Sequence, residues 1–281
     1  LFIDEYDNFT NMILASEEHL VRYRKQTHGE GYLRKFFNAI KGAAGSALAR
    51  IFVTGVSPVT MDDLTSGFNI GTNYSLSPCF NELTGFTEEE VREMLEYYAS
   101  VLPFNHTVDE LIEVMKPWYD NYCFAEEEYG KVTMYNSVMV LNFLTNYIDS
   151  GYGIPKKMVE SNIRMDYDKL RMLIRHDKNF SHDASIIQDL VTKGFVTGKL
   201  VENFPAENIN DPDNFLSLLF YFGMVSIDGA YKGGIKFVIP NAEVRDQMYN
   251  YLLETYKEND LTFESYDKNK LESMLAFDGE Y

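Results

Sequence analysis

Two short apolar runs, each followed at once by polar residues, constrain the fold of this chain most strongly. The first is Leu1-Phe2-Ile3, and the second lies within residues 49–56 (ARIFVTGV). Continuous apolar runs of this length, stopped by acids or by glycine, are typical of buried parallel strands. Residues 31–43 lie between them and predict a helix that covers the sheet. Residues 1–85 are therefore predicted to form part of an α/β core, which ends in a long polar loop over 62–85.

Polar side chains follow both predicted strands. Asp4 and Glu5 come after the first run, and Thr54 comes after the second. In nucleotide hydrolases, one acid at a strand end binds Mg²⁺, usually through water, and the next orients or deprotonates the attacking water. A polar residue on the neighbouring strand senses the terminal phosphate. The spacing also allows simpler functions, because Asp4 or Asp7 could cap the following helix and Thr54 could satisfy a local turn.

A helical domain is predicted over residues 86–180. Two pairs have the spacing of a capping box, Thr87 with Glu90 and Thr107 with Glu110. Each pair precedes apolar residues at helical spacing, and Pro117 is expected to stop the second helix. A third helix begins at the cap Asn136, and a fourth is predicted over 163–176.

A winged-helix domain is predicted over residues 181–255, from the order helix, helix, hairpin, helix. The hairpin is expected to turn at Asp228-Gly229. The second helix would be the DNA-reading element of such a domain, but residues 214–222 contain neither Arg nor Lys. Because this helix is so apolar, we expect it to lie in a core or an interface rather than on DNA. Residues 256–281 form an acidic tail with one more amphipathic stretch.

The charge balance argues against a nucleic-acid partner. Lys and Arg number 25 against 43 Asp and Glu, which leaves a formal charge of -18. Binding to a phosphate backbone requires a positive surface. No apolar run reaches membrane-spanning length, so no membrane association is expected. Cys79 and Cys123 form no disulfide framework, and a reduced, cytoplasmic compartment is expected.

Several segments, taken together, are similar to one protein family. They are LFIDEYDNFTN (1–11), THGEGYLRKFFNAIKG (27–42), RIFVTGVSPVTMDDLTSGFNIG (50–71), GFTEEEV (85–91), WYDNYCF (118–124) and YNSVMVLNFL (135–144). The pattern resembles the AAA-ATPase-like family common in gut bacteria, over about residues 1–255. In that family a P-loop ATPase core is followed by a helical lid, a winged helix and usually a nuclease of the PD-(D/E)XK type. Family members typically have Gly-Tyr-Arg-Phe where this chain has residues 121–124 (NYCF).

The resemblance implies a function for three residues. It assigns Asp4, the Walker B acid, to magnesium, Glu5 to water activation and Thr54 to phosphate sensing, with ATP and Mg²⁺ as the cofactors of the full-length protein. Two motifs of such proteins are absent from the sequence. There is no G-x-x-x-x-G-K-[ST] phosphate cradle, and no Lys has an acid two positions before it, as the nuclease requires.

We therefore expect a fragment: a truncated parallel-sheet P-loop ATPase core (its Walker B half), a helical lid domain and a winged-helix domain. Its partners would be the missing N-terminal P-loop segment and a C-terminal nuclease domain, towards which the tail leads. The complete protein would hydrolyse ATP and control the nuclease, whereas this chain alone would bind no cofactor and be inactive. Its first strand would leave an unpaired edge, through which the chain would self-associate.

Two other classes of function stay open on the sequence. One is a protein-interaction scaffold that carries a degenerate ATPase remnant. The other is a nucleic-acid-binding regulator, which the charge of -18 disfavours.

Overall fold

The computed structural model describes residues 1–8, 19–56, 59, 70–158, 180–209 and 211–249. They form helices with a two-stranded parallel sheet and a three-stranded sheet, a mixture consistent with the predicted α/β-plus-α class. Within this part of the chain, no helix combines the length and apolarity that crossing a membrane requires. The predicted helix over 163–176 and the tail over 256–281 lie outside the described residues.

The chain divides into two compact units by contact. Among the described residues, the first unit comprises those up to Tyr74, residues 180–183 and Gly198–Gly223, and the second comprises 75–158, Ala184–Thr197 and 224–249. The predicted winged-helix residues therefore fall in both units. The domains expected at 1–85, 86–180 and 181–255 stay a prediction.

The first unit contains both strands that the apolar runs predict. β1 (Phe2–Ile3) pairs in parallel with β2 (Phe52–Val53), and the register places Ile3 beside Val53. The expectation of buried strands is wrong for one face of this sheet. Phe2 is 83% exposed and Phe52 is 51% exposed, because successive side chains of a strand point to opposite faces and both rings lie on the same outer face.

The inner face of this small sheet packs against a helix. α1 (His19–Thr27) precedes α2 (Tyr32–Ala43), which matches the helix predicted over 31–43. α2 buries Leu33, Phe37 and Ile40, and these side chains pack with Ile3 of β1. The apolar spacing along α2 thus fixes which face of the sheet is covered.

The helical part of the second unit forms as its caps predict. α3 (Glu88–Val101) and α4 (Val108–Tyr119) each begin with a complete capping box, and α5 (Ser137–Asp149) begins at Asn136, whose side chain accepts the Met139 N–H. Their buried faces form one core that includes Leu95, Met115 and Phe143. Pro117 does not stop α4, which continues to Tyr119. A proline this near the helix end removes only one of the last intrahelical hydrogen bonds.

Two helices and a short strand precede the hairpin in sequence. α6 (Phe180–Lys193) precedes β3 (Phe195–Gly198), and α7 (Pro212–Tyr221) follows it. Residues 214–220 of α7 are all buried, as its lack of Lys and Arg predicts. The hydroxyl of Ser217 inside α7 accepts the Val201 N–H at 2.8 Å. α7 is therefore a core helix of the first unit.

The hairpin forms, but its predicted turn is wrong. β4 (Ser226–Tyr231) and β5 (Gly234–Val238) pair antiparallel, with β5 at the centre of a three-stranded sheet between β3 and β4. The turn is Lys232-Gly233, where φ is +51° and +85°. A two-residue hairpin loop of this kind needs positive φ at both positions. Asp228-Gly229 lies inside β4 instead, at an irregularity in the pairing register. Residues 242–249, the last that are described, are helical.

Candidate functional site

The carboxyl ends of β1 and β2 bring two of the predicted site residues into direct contact. Because Ile3 pairs with Val53 in parallel register, the next residues, Asp4 and Thr54, leave the sheet side by side. The Thr54 hydroxyl donates a hydrogen bond to Asp4 Oδ1 at 2.5 Å. The two residues are fifty positions apart in sequence, so the parallel sheet alone makes this contact.

Glu5 lies in a tight turn directly after Asp4. Its φ of +48° is in the left-handed region, which a non-glycine residue adopts only when its surroundings hold it there. The Glu5 N–H donates to Asp4 Oδ1 at 2.9 Å, and the Glu5 carbonyl accepts the Asn8 N–H at 3.0 Å. The Glu5 side chain is exposed and forms no hydrogen bond or ion pair with the described residues. It is thus available to a ligand.

Backbone hydrogen bonds hold this turn against the end of β2. The Thr54 N–H donates to the Ile3 carbonyl at 2.8 Å, and the Tyr6 N–H donates to the Thr54 carbonyl at 3.0 Å. The backbone N–H and carbonyl of Thr54 are therefore both held by residues that flank the turn, while its hydroxyl contacts Asp4. The predicted alternative, a threonine that serves only its own turn, does not account for that side-chain contact.

Residues that sequence reasoning did not assign to the site complete it. Asp7 is buried, at 2% exposure, and both of its carboxylate oxygens lie 3.2 Å from the Val56 N–H, which donates to them. Gly55 lies against this turn. A Cβ at Gly55 would stand 2.3 Å from the Tyr6 ring and 2.5 Å from Asp7 Oδ1, so only glycine fits. The closely spaced acids of DEYD (4–7) were the available signal.

Burial raises the pKa of the tyrosine beside the site. Desolvation raises the pKa of the Tyr6 phenol far above its usual value, and the nearby Asp7 carboxylate and Tyr221 raise the pKa further. A tyrosine is neutral at physiological pH in any case, and the raised pKa keeps the Tyr6 phenol protonated in alkaline solution as well. Glu5, rather than Tyr6, is the group of this turn that is suited to accept a proton from water.

The chemistry of the donors fits magnesium. Both contacts that Asp4 receives go to Oδ1, and Asp4 Oδ2 has no hydrogen-bond partner among the residues described. Mg²⁺ in nucleotide sites keeps several waters and takes one or two protein oxygens together with phosphate oxygens. Across the described ranges, no group of three or more His, Cys, Asp or Glu could hold a metal. A single exposed carboxylate therefore suits a magnesium that a nucleotide brings, rather than a closed metal site.

One protein family matches the first part of the chain. Residues 1–65 match the AAA-ATPase-like family, which is described as a predicted AAA-ATPase. The match contains Asp4, Glu5 and Thr54, together with the turn and the two strands that hold them. It confirms the predicted family resemblance over residues 1–65, whereas the resemblance of the remaining residues up to about 255 stays a prediction. No curated protein and no solved structure matches the chain.

Proposed function

We propose that this chain contributes the Walker B half of an ATPase site to a protein that binds and hydrolyses ATP with Mg²⁺. The observation that carries the proposal is the hydrogen bond from Thr54 to Asp4, across the carboxyl ends of two parallel strands. In open parallel sheets, ligands bind outside these strand ends. The residues in contact lie within the segment that matches the AAA-ATPase-like family.

Each polar residue of the site has a distinct proposed function. Asp4 binds magnesium through water with Oδ2, the oxygen that has no partner in the part of the chain that the structure describes, and the bound ion would neutralise charge on the phosphate oxygens. Glu5 orients the attacking water and accepts its proton. Thr54 fixes the Asp4 carboxylate through its hydroxyl and reports on the terminal phosphate from the neighbouring strand.

A phosphate-binding loop must join this site for turnover. The backbone amides and Lys of G-x-x-x-x-G-K-[ST] supply most of the phosphate contacts in such ATPases, and the 281 residues do not contain that motif. We propose that the loop belongs to the same full-length protein and that these 281 residues alone do not hydrolyse ATP. Hydrolysis would move the helical and hairpin parts and so control an attached nuclease.

The first experiment measures ATP turnover by the product of the complete gene. Glu5→Gln keeps the size of the side chain but removes the base, and we expect turnover to fall about 10²-fold or more. Glu93→Gln is the matched control, because Glu93 is an exposed glutamate on α3 in the other unit. Normal turnover in Glu5→Gln would refute the proposed site.

A second experiment separates an ATPase from a scaffold. Thermal unfolding of residues 1–281 is compared with and without Mg-ATP, and Asp4→Ala is the control. A ligand at about 100 times its dissociation constant stabilises the folded state by roughly 2.7 kcal/mol. We expect no shift for the chain alone and a clear shift for the complete gene product, which Asp4→Ala weakens. If neither protein shifts, the scaffold is the better account.

A further inference from the structure

Asp7 is a buried acid whose function the proposed ATPase chemistry does not use. Asp7 is 2% exposed, and both oxygens of its carboxylate accept the Val56 N–H, each at 3.2 Å from the nitrogen. Removing a carboxylate from water is unfavourable unless the protein supplies hydrogen bonds in its place. Here the donor belongs to the segment that follows β2, forty-nine residues away in sequence. The contact therefore joins the turn after β1 to the segment after β2.

Three successive hydrogen bonds join the end of β1 and the turn after it to the segment that follows β2. The Thr54 N–H reaches Ile3, the Thr54 carbonyl receives the Tyr6 N–H, and the Val56 N–H reaches Asp7. Thr54 lies between the first and the last of these contacts. The position of its hydroxyl on Asp4 thus depends on the segment after β2 staying against the turn, and Asp7 provides the last attachment.

Gly55 shows how closely the two segments approach. The Tyr6 ring and Asp7 Oδ1 occupy the space that a Cβ of residue 55 would need, at 2.3 Å and 2.5 Å. Two segments in such close contact have little room to shift against each other. The distance between the two strand ends is therefore fixed closely enough for single hydrogen bonds to form between them.

We propose that Asp7 is the positioning residue of this site: its bond to the Val56 amide holds the Thr54 hydroxyl on Asp4 and leaves the second Asp4 oxygen directed to the ligand. The inference rests on the proposed function, because it concerns the same Mg-ATP site. Asp7 touches neither nucleotide nor metal, and it acts through Thr54 and Asp4.

The test is a double-mutant cycle on ATP turnover by the complete gene product. Asp7→Ala is made in the wild-type background and in Thr54→Val, which has lost the hydroxyl already. We expect Asp7→Ala to lower kcat about 10²-fold in the wild type, with the KM for ATP changed by less than about threefold. In the Thr54→Val background the same change should cost less than about threefold, because residues that act as one unit are not additive.

Two further variants separate positioning from folding. Asp7→Asn retains an oxygen that can accept the Val56 N–H, and we expect it to restore most of kcat. Asn81→Ala is the matched structural control in the second unit, because Asn81 is also 2% exposed and accepts two backbone N–H groups, from Phe124 and Ala125. It should lower stability and leave kcat unchanged. If Asp7→Ala does not fold, Asp7→Ser replaces it, since its side chain is too short to reach Val56.

The outcomes distinguish this inference from the proposed function. If the wild type turns over ATP and Glu5→Gln does not, but Asp7→Ala keeps its kcat or costs the same in both backgrounds, the positioning function is refuted and the ATPase site stands. If the wild type shows no Mg-ATP turnover, both are refuted. A large loss in the wild-type background alone, restored by Asp7→Asn, supports both.

Discussion

Replacing Gly55 by alanine should destabilise the first unit strongly, although the change adds one methyl group. That methyl would lie 2.3 Å from the Tyr6 ring and 2.5 Å from Asp7 Oδ1. Forcing extra volume into a packed region costs about 1–3 kcal/mol. Displacing the Asp7 carboxylate from the Val56 N–H removes a charge-assisted hydrogen bond, which costs about 1.5–3 kcal/mol. The two effects together predict a loss of about 2.5–6 kcal/mol.

The assay must report on each unit separately. Amide hydrogen exchange of peptides over residues 50–56 follows the strand ends, where the Phe52 and Thr54 N–H groups donate to the carbonyls of Leu1 and Ile3. The fluorescence of Trp118, the single tryptophan, follows the helical core of the second unit. We expect Gly55→Ala to accelerate exchange at 50–56 and to leave the unfolding monitored by Trp118 unchanged.

A glycine-to-alanine control in the same unit is available at position 42. Gly42 lies in α2, and an added Cβ there meets nothing within 4 Å. Gly42→Ala should therefore stabilise the unit, by about 0.5–1 kcal/mol, because alanine restricts the unfolded chain and favours a helix. If Gly55→Ala stays within about 0.5 kcal/mol of the wild type, the close approach of the Asp4–Asp7 turn to Gly55 is refuted.

Three further predictions concern the second unit. Thr107→Ala removes the cap of α4 and should lower the free energy of unfolding by about 1 kcal/mol, measured by urea denaturation with Trp118 fluorescence. Hydrogen bonds from the Thr107 N–H and hydroxyl hold the pKa of Glu110 below its usual value. The stability that these bonds give to the folded state is therefore present above about pH 4.3 and is lost as the pH falls through the folded-state pKa of Glu110. The Glu110→Gln variant should show a smaller loss of stability in acid than the wild type. Cys79 is exposed, whereas Cys123 is buried and burial raises the pKa of its thiol. A thiol reagent should therefore modify Cys79 in the folded protein and Cys123 only after unfolding. Rapid modification of both cysteines while Trp118 fluorescence reports a folded second unit would contradict the structure.

Local features could be predicted from the sequence because their partners lie a few residues away. The boxes at Thr87 and Thr107 form with both reciprocal hydrogen bonds, since cap and partner are three residues apart. The same reasoning failed at Asp228-Gly229, where two adjacent turn-forming residues lie inside β4. Pairing with β5 determines which residues turn, and that pairing moves the loop to Lys232-Gly233. A local signal is overridden when the strands that flank it find a better register.

The candidate site shows the same division. The sequence indicated that Asp4, Glu5 and Thr54 follow strand ends, and parallel pairing then brought Asp4 and Thr54 into contact. Asp7 could not be assigned from the sequence, because an acid three residues after another is equally suited to a helix cap. Its burial and its bond to Val56 arise from a segment forty-nine residues away.

The sequence by itself determined the capped starts of α3, α4 and α5, the apolar character of α7, the two short strands and the identity of the polar residues that follow them. These features depend on the spacing of residues that are close in sequence, and such spacing is compatible with few local conformations. Only the tertiary structure decided that Phe2 and Phe52 are exposed, that Gly55 is tightly enclosed and that Asp7 is buried. Each of these results from packing between segments far apart in sequence, and close packing leaves one arrangement of the side chains that no local pattern specifies.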